Sequence, residues 1–332
     1  MTRLKYFFFL PLAILMVGCT EVIDFKPDNV EPYTVLVSRP QNDEVVTVQM
    51  SRSRFFLDND NYGTGVSDAS LTLTVNGTPY RGVYTPSFNG YASCGYRFAV
   101  RPQAGDTLTV SAVVPGTEQP LTAGTRIPLT PNLTITDYVV DTSYYGSYYY
   151  GGDFSFRLRF KVRSPDEQCY YSVRIRRAYN GGDDEEPVWD TDYLEEVYFE
   201  CNDAVVNSLD IASNINLDNE GFWGNEMLFS NELFRNDEHE FTVTFNAWVN
   251  QGLRVAEMPL YVEIRALSPE LYRYIQTTSQ QSDFDELFGE PVQVYCNISG
   301  GIGVFGGQNV ASFRAPAPRF EKFSNNTNNY FE

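Results

Sequence analysis

The chain has 332 residues with 43 acidic and 24 basic side chains, a formal net charge of -19, one histidine and five cysteines. Its length suits roughly two domains with real hydrophobic cores, and its 42% hydrophobic and 15% aromatic content excludes a disordered acidic chain. A pI near 4.4 excludes a general nucleic-acid binder, which needs a basic surface against phosphate, and the single histidine excludes multi-histidine metal sites.

The first predicted element is an export signal. Arg3 and Lys5 precede an apolar run from Tyr6 to Val17, broken only by Pro11. The run falls short of the roughly 20 residues that span a bilayer and fits a signal-peptide core. It ends in Met16-Val17-Gly18-Cys19, which resembles a bacterial lipobox, with Met where Leu is more usual. Residues 1–18 are therefore read as a signal peptide and Cys19 as the lipidated first residue of an exported, membrane-tethered chain. Losing residues 1–18 removes Arg3 and Lys5 and no acid, so the charge moves from -19 to -21. Such acidity keeps an exposed protein soluble. Residues 19–32 read as a tether.

Past the tether the pattern is β. Strands are expected at Thr34–Ser38, Val45–Met50 and Ala69–Val75. Asn76-Gly77 then supplies the positive φ angles of a tight hairpin turn, and Thr78–Thr85 returns the chain. Tyr96–Val100 and Thr107–Val114 follow, joined by Ala104-Gly105-Asp106. Short strands at this spacing predict an immunoglobulin-like β-sandwich over residues 33–125. Residues 115–131 hold Pro115, Pro120, Pro128 and Pro131 with Gly116 and Gly124, which mark a boundary.

A larger β-rich sandwich domain is expected over residues 126–322. Its strands read as Leu133–Val140, Phe154–Val162, Tyr170–Arg177, Glu195–Glu200, Glu240–Val249 and Pro259–Leu267. Phe154, Phe156, Leu158 and Phe160 share one strand face, opposite Ser155, Arg157, Arg159 and Lys161. One helix is predicted, with Ser268 as N-cap, Pro269 at the first helical position and Glu270 in the first turn, running to about Gln281. A short helical turn is expected at Phe284–Phe288, and residues 323–332 form an asparagine-rich tail. The fold class is thus all-β with one short C-terminal helix.

Five tyrosines, Tyr144, Tyr145, Tyr148, Tyr149 and Tyr150, lie among glycines between two predicted strands. Tyrosine offers a flat apolar face and a hydroxyl at low entropic cost. The segment is read either as a platform for a glycan, peptide or partner protein, or as a hairpin whose rings pack on their own domain. With Cys19 lipidated, Cys94, Cys169, Cys201 and Cys296 remain, and an oxidising compartment favours disulfides. Four cysteines allow three connectivities. Cys169–Cys201 is the favoured one, because the two flank an acidic loop and fit neighbouring strands; free buried thiols are the alternative.

Other chemistry is sparse. His239 is the only histidine and no G-x-S-x-G elbow exists, so a nucleophilic triad is not expected and His239 reads as a solvated loop residue. Asp58-Asn-Asp-Asn-Tyr-Gly63 begins like a calcium loop, but Tyr62 occupies a ligand position and no Glu closes it. Asp183-Asp-Glu-Glu186 reads as a hairpin tip. Gly300-Gly-Ile-Gly-Val-Phe-Gly-Gly307 lacks the following helix of a dinucleotide loop, so its glycines are expected to let backbone cross close to packed strands. No metal, cofactor or catalytic residue is assigned.

Four stretches together resemble one family: Cys19-Thr-Glu-Val-Ile-Asp24, Arg101-Pro-Gln-Ala-Gly-Asp-Thr-Leu108, Ser268-Pro-Glu-Leu-Tyr-Arg-Tyr274, and Glu290 through Gly307 with its Asn-Ile and Gly-x-Phe-Gly. The sequence is similar to the Bacteroidota lipoprotein family called domain of unknown function 4249. Leu228–Asn236 also looks like a family loop, with Asn231 where Asp is usual and Asn236 where Gly is usual. The resemblance implies an outer-membrane lipoprotein facing the cell surface, companion to a TonB-dependent transporter, and implies no reaction. The expected function is non-enzymatic substrate capture or transporter partnership. The alternatives are a structural or adhesive surface protein, or a surface hydrolase.

Overall fold

In the computed structural model, residues 32–53, 65–86, 95–117, 119–141, 152–182, 187–207, 221–250, 253–282 and 293–321 are described. The chain is mostly β, with a sandwich-like architecture. Every described residue except Pro32 belongs to one compact unit, Tyr33–Ser53 with Tyr62–Glu332.

The first sandwich packs two sheets around one core. One sheet has the order β18-β1-β2-β6-β5, built from Ile302–Phe305 (β18), Thr34–Ser38 (β1), Thr47–Arg52 (β2), Gly95–Arg97 (β6) and Val83–Thr85 (β5). The other runs β4-β3-β7-β8, from Thr78–Arg81 (β4), Ser70–Val75 (β3), Thr107–Val113 (β7) and Leu121–Arg126 (β8). Alternation sends Leu71, Leu73, Leu108 and Val110 inward against Leu36, Val48 and Phe98. The Asn76-Gly77 turn forms as expected, with φ of 48° and 86°, and the Asn76 carboxamide is held between Asp106 and the Thr107 N–H. Strand β8 was not expected. The prolines at 115, 120, 128 and 131 flank it rather than interrupt it.

The second sandwich is larger. Its six-stranded sheet runs β14-β13-β16-β10-β9-β20, from Phe222–Gly224 (β14), Phe199–Cys201 (β13), Glu238–Val249 (β16), Gly152–Arg163 (β10), Asn132–Asp141 (β9) and Arg319–Glu321 (β20). Its five-strand partner runs β12-β11-β17-β19, from Pro187–Val197 (β12), Tyr170–Gly182 (β11), Leu260–Leu267 (β17) and Gln308–Arg314 (β19), with Met227–Ser230 (β15) paired to β11. The expected facing of β10 holds: Phe156, Leu158 and Phe160 are fully buried. Phe156 stacks on Phe245 at 4.9 Å and Phe160 on Phe241 at 5.5 Å, directly across the β10–β16 ladder. Such cross-strand rings add about 0.5–1.5 kcal/mol each beyond their burial.

Two α-helices are present among the described residues, a single turn at Ala204–Asn207 (α1) and Pro269–Ser282 (α2). Helix α2 matches the prediction at both ends, and the Leu271 N–H donates to Ser268 Oγ at 3.3 Å as the N-cap requires. No helix among the described residues is long and apolar enough to cross a membrane.

The expected division into a 33–125 domain and a 126–322 domain needs correcting. The first core is completed by Ile298 and Phe305, and β18 pairs parallel with β1. The glycine-rich run makes this return possible. Gly303 has φ of +120°, and a Cβ there would lie 2.1 Å from Leu36 O. At Gly307 a Cβ would meet Arg126 O at 2.4 Å. The chain then crosses directly into β19 of the second sandwich. The two cores are therefore linked at both 127–131 and 306–307 and form one unit rather than a tandem pair.

Candidate functional site

A cavity of about 550 Å³ opens where the two cores meet. Its volume falls in the range of small-ligand sites. Five segments contribute to it. Strands β7 and β8 contribute Thr107, Thr109 and Thr125; the 127–131 link contributes the exposed Leu129; residues 165–171 and the start of α2 close the far side. Thr125 ties the walls together. Its Oγ1 donates to Glu270 Oε2 at 3.3 Å and accepts the Gly307 N–H at 2.8 Å. Asn309 braces the link by donating to Pro128 O at 3.0 Å. The result is a mostly apolar recess edged with hydroxyls and with the Glu167 and Glu270 carboxylates.

The 164–169 wall is held by a residue from the Leu228–Asn236 loop. Asn231 is fully buried. Its Oδ1 accepts the Cys169 N–H at 2.8 Å. Its Nδ2 donates to Ser164 Oγ at 2.6 Å, Glu167 O at 2.8 Å and Pro165 O at 3.2 Å. An ionised aspartate could not make the donor half of this set. Asn236 sits at φ of 56°, a conformation asparagine tolerates, and its N–H reaches Pro165 O at 3.0 Å. The two departures from the usual family residues are thus structural here: one supplies donors and the other supplies a left-handed turn.

The predicted disulfide does not form. Cys169 and Cys201 are free thiols, as is Cys296. Cys169 precedes β11 and Cys201 ends β13, in opposite sheets, so the two are not on neighbouring strands as expected. Burial pushes the Cys169 thiol up, and burial with the nearby Asp203 charge pushes Cys201 up to about 12. Both thiols are held protonated, the opposite of an activated nucleophile.

His239 also differs from expectation. It lies within β16 rather than in a loop, with Nε2 3.0 Å from both Asp203 carboxylate oxygens. Its ring packs against Phe234 and Phe241 at 5.3 and 4.7 Å. It bridges α1 to the sheet. Among the described residues no cluster of three His, Cys, Asp or Glu could hold a metal. Cys19, the tyrosines at 144, 145, 148, 149 and 150, Cys94 and both acidic loops lie outside the described residues.

Two features were not anticipated. An ionic network covers the outer face of the five-stranded sheet. Glu226 pairs with both Arg174 and Arg265, and Arg265 continues to Glu263 at 2.6 Å. Burial opposes ionisation of Glu226, but the Arg174 hydrogen bond and the Arg174 and Arg265 charges outweigh it, so its carboxyl sits below the usual range. The second feature is a set of exposed rings, Trp223 and Trp248 on the six-stranded sheet and Tyr198 just before its strand β13. The outward strand positions of Trp223 and Trp248 were the available signal for it.

No protein of curated function matches the sequence. Among solved structures, the crystal structure of a DUF4785 family protein from Legionella pneumophila is 8% identical, with coverage of 70% of this chain and 51% of that one and a TM-score of 0.21. A Parabacteroides merdae beta-glucuronidase is also 8% identical, covering 72% of this chain and 23% of that one, with a TM-score of 0.23. This chain thus spans about half of the first and under a quarter of the second, and scores this low carry no inference about chemistry. The sequence profile of one family matches residues 20–314, which is nearly everything after Cys19. The chain belongs to the family described as Domain of unknown function (DUF4249).

Proposed function

We propose that this chain is a non-enzymatic lipoprotein of the Bacteroidota outer membrane, anchored through Cys19, facing the cell surface and accessory to a TonB-dependent transporter. The observation that carries the reading is one of position. The family match begins at residue 20, directly behind the Gly18-Cys19 lipobox. The matched region therefore starts where a lipid anchor would be attached. The cavity at the meeting of the two cores gives such a protein a place to hold substrate close to a transporter. The protonated Cys201 thiol beside the Asp203–His239 pair fits a binding role better than a catalytic one. Intact-mass analysis of the membrane-extracted chain tests the anchor. A mature protein starting at acylated Cys19, with the anchor lost in Cys19→Ala, is expected; an unacylated, soluble mature chain refutes it.

A further inference from the structure

The outer face of the six-stranded sheet carries two exposed tryptophans, and Tyr198 lies beside them just before β13. Trp223 is 66% exposed, Tyr198 54% and Trp248 48%. Tyr198 and Trp223 lie with ring centroids 5.2 Å apart at 34°, forming one broad, shallow platform. Scattered exposed apolar residues are ordinary. Here, however, two of the chain's three tryptophans occupy one sheet face by strict strand alternation. In β16, Phe245, Ala247 and Val249 point into the core while Thr244, Asn246 and Trp248 point out.

The register places these groups with respect to one another. Trp223, Glu200, Thr244 and Arg157 form one row across β14, β13, β16 and β10. Asn246 and Ser155 form the next outward-facing row and hydrogen-bond to each other at 2.5 Å. Trp248 sits opposite Asp153 in the row beyond, and its Nε1 donates to Asn250 Oδ1 at 3.1 Å. Two strand spacings and four residues separate Trp223 from Trp248, on the order of 16 Å across the face. That is the reach of a short oligosaccharide laid over the sheet.

We propose that this face is a binding surface for a neutral glycan chain. Flat aromatic faces take the C–H faces of pyranose rings, while Glu200, Thr244 and Asn246 between them and Ser155 beside them suit ring hydroxyls, which both donate and accept. Among the described residues, polar groups separate Trp223 from Trp248 on this face. Glu200 lies between the rings, Arg157 beside them is paired with Glu321 at 3.2 Å, and the chain carries -19 overall, so a polyanionic glycan is disfavoured and a neutral one fits. The surface is separate from the cavity between the two cores and does not depend on the transporter reading.

The test uses the detergent-solubilised full chain with maltohexaose, cellohexaose, xylohexaose and mannohexaose, read by tryptophan fluorescence and calorimetry. At least one of these is expected to bind with little dependence on salt. Trp223→Ala and Trp248→Ala should each weaken binding at least about tenfold, and the double variant should abolish it. Trp223→Phe and Trp248→Phe keep the strand positions filled and should retain part of the affinity, while unchanged circular dichroism excludes unfolding. No binding by any of the four overturns the proposal. So does binding that the tryptophan variants leave intact, which would locate the glycan elsewhere. A tryptophan emission shift caused only by phosphatidylethanolamine vesicles overturns it in favour of a membrane contact.

Discussion

Asn231 offers a sharp test of the packing logic, because one buried carboxamide holds the wall of the cavity. Replacing it with alanine removes four hydrogen bonds, one accepted from the Cys169 N–H and three donated to Ser164, Pro165 and Glu167. Each is worth about 1 kcal/mol net, and the stranded N–H and carbonyls lose more where water cannot reach them. Asn231→Ala should therefore cost about 4 kcal/mol, or roughly 6 °C in Tm for a chain of this size. Asn231→Asp separates donors from acceptors. It retains an oxygen for Cys169 N–H but sets a second carboxylate oxygen against the Pro165 and Glu167 carbonyls. The protonated acid can donate there and the carboxylate cannot, so the folded-state pKa of that aspartate is raised. Its stabilising contribution is then present below the ordinary aspartate pKa of about 3.9 and is lost as pH rises through the folded value. The deficit of the aspartate variant against the wild type should be largest near neutrality and shrink on acidification in urea unfolding. A variant equal to the wild type at neutral pH, with no pH dependence in the difference, would refute the donor role.

Three further outcomes follow. Glu226 is ionised more readily in the folded state than free, so its contribution is present above the usual glutamate pKa and is lost as pH falls below it; the wild type should lose stability more steeply than Glu226→Gln on acidification, with a cost near neutrality of roughly 1–2 kcal/mol in the variant. Gly303→Ala places a Cβ against Leu36 O at a φ of +120° and should cost roughly 4 kcal/mol or prevent soluble expression, seen by thermal melting. Non-reducing peptide mapping of the exported protein should find no bridged Cys169–Cys201 peptide, and recovery of one would contradict the free state of the two thiols.

Much of the fold was legible because period-two alternation is a local signal. The strands around Leu71, Phe156 and Val243 could be placed from it, and the Ser268-Pro269-Glu270 cap located helix α2. What could not be read locally is what depends on distant partners. Gly303 looks like a strand breaker until Leu36 is beside it, and β18 exists only because β1 accepts it in parallel. β8 was hidden by flanking prolines, and the leading part of β12 by Pro187, Asp190 and Asp192, residues that disfavour strands in isolation. The candidate site was less legible. The cavity is assembled from residues between 107 and 270, and Asn231 gains its role only from the carbonyls of a loop some 65 positions away. The Cys169–Cys201 pairing was inferred from spacing, but spacing carries no information about which sheet each strand joins.

The accessory role itself is tested most directly by capture from the native membrane. A tagged full-length chain, expressed in a Bacteroidota host and purified from mildly solubilised outer membranes, should bring a TonB-dependent transporter with it in near-stoichiometric amount. The Cys19→Ala chain, lacking its anchor, should not. Recovery of the anchored wild-type protein without any transporter, in detergent that preserves known outer-membrane complexes, would contradict the proposal.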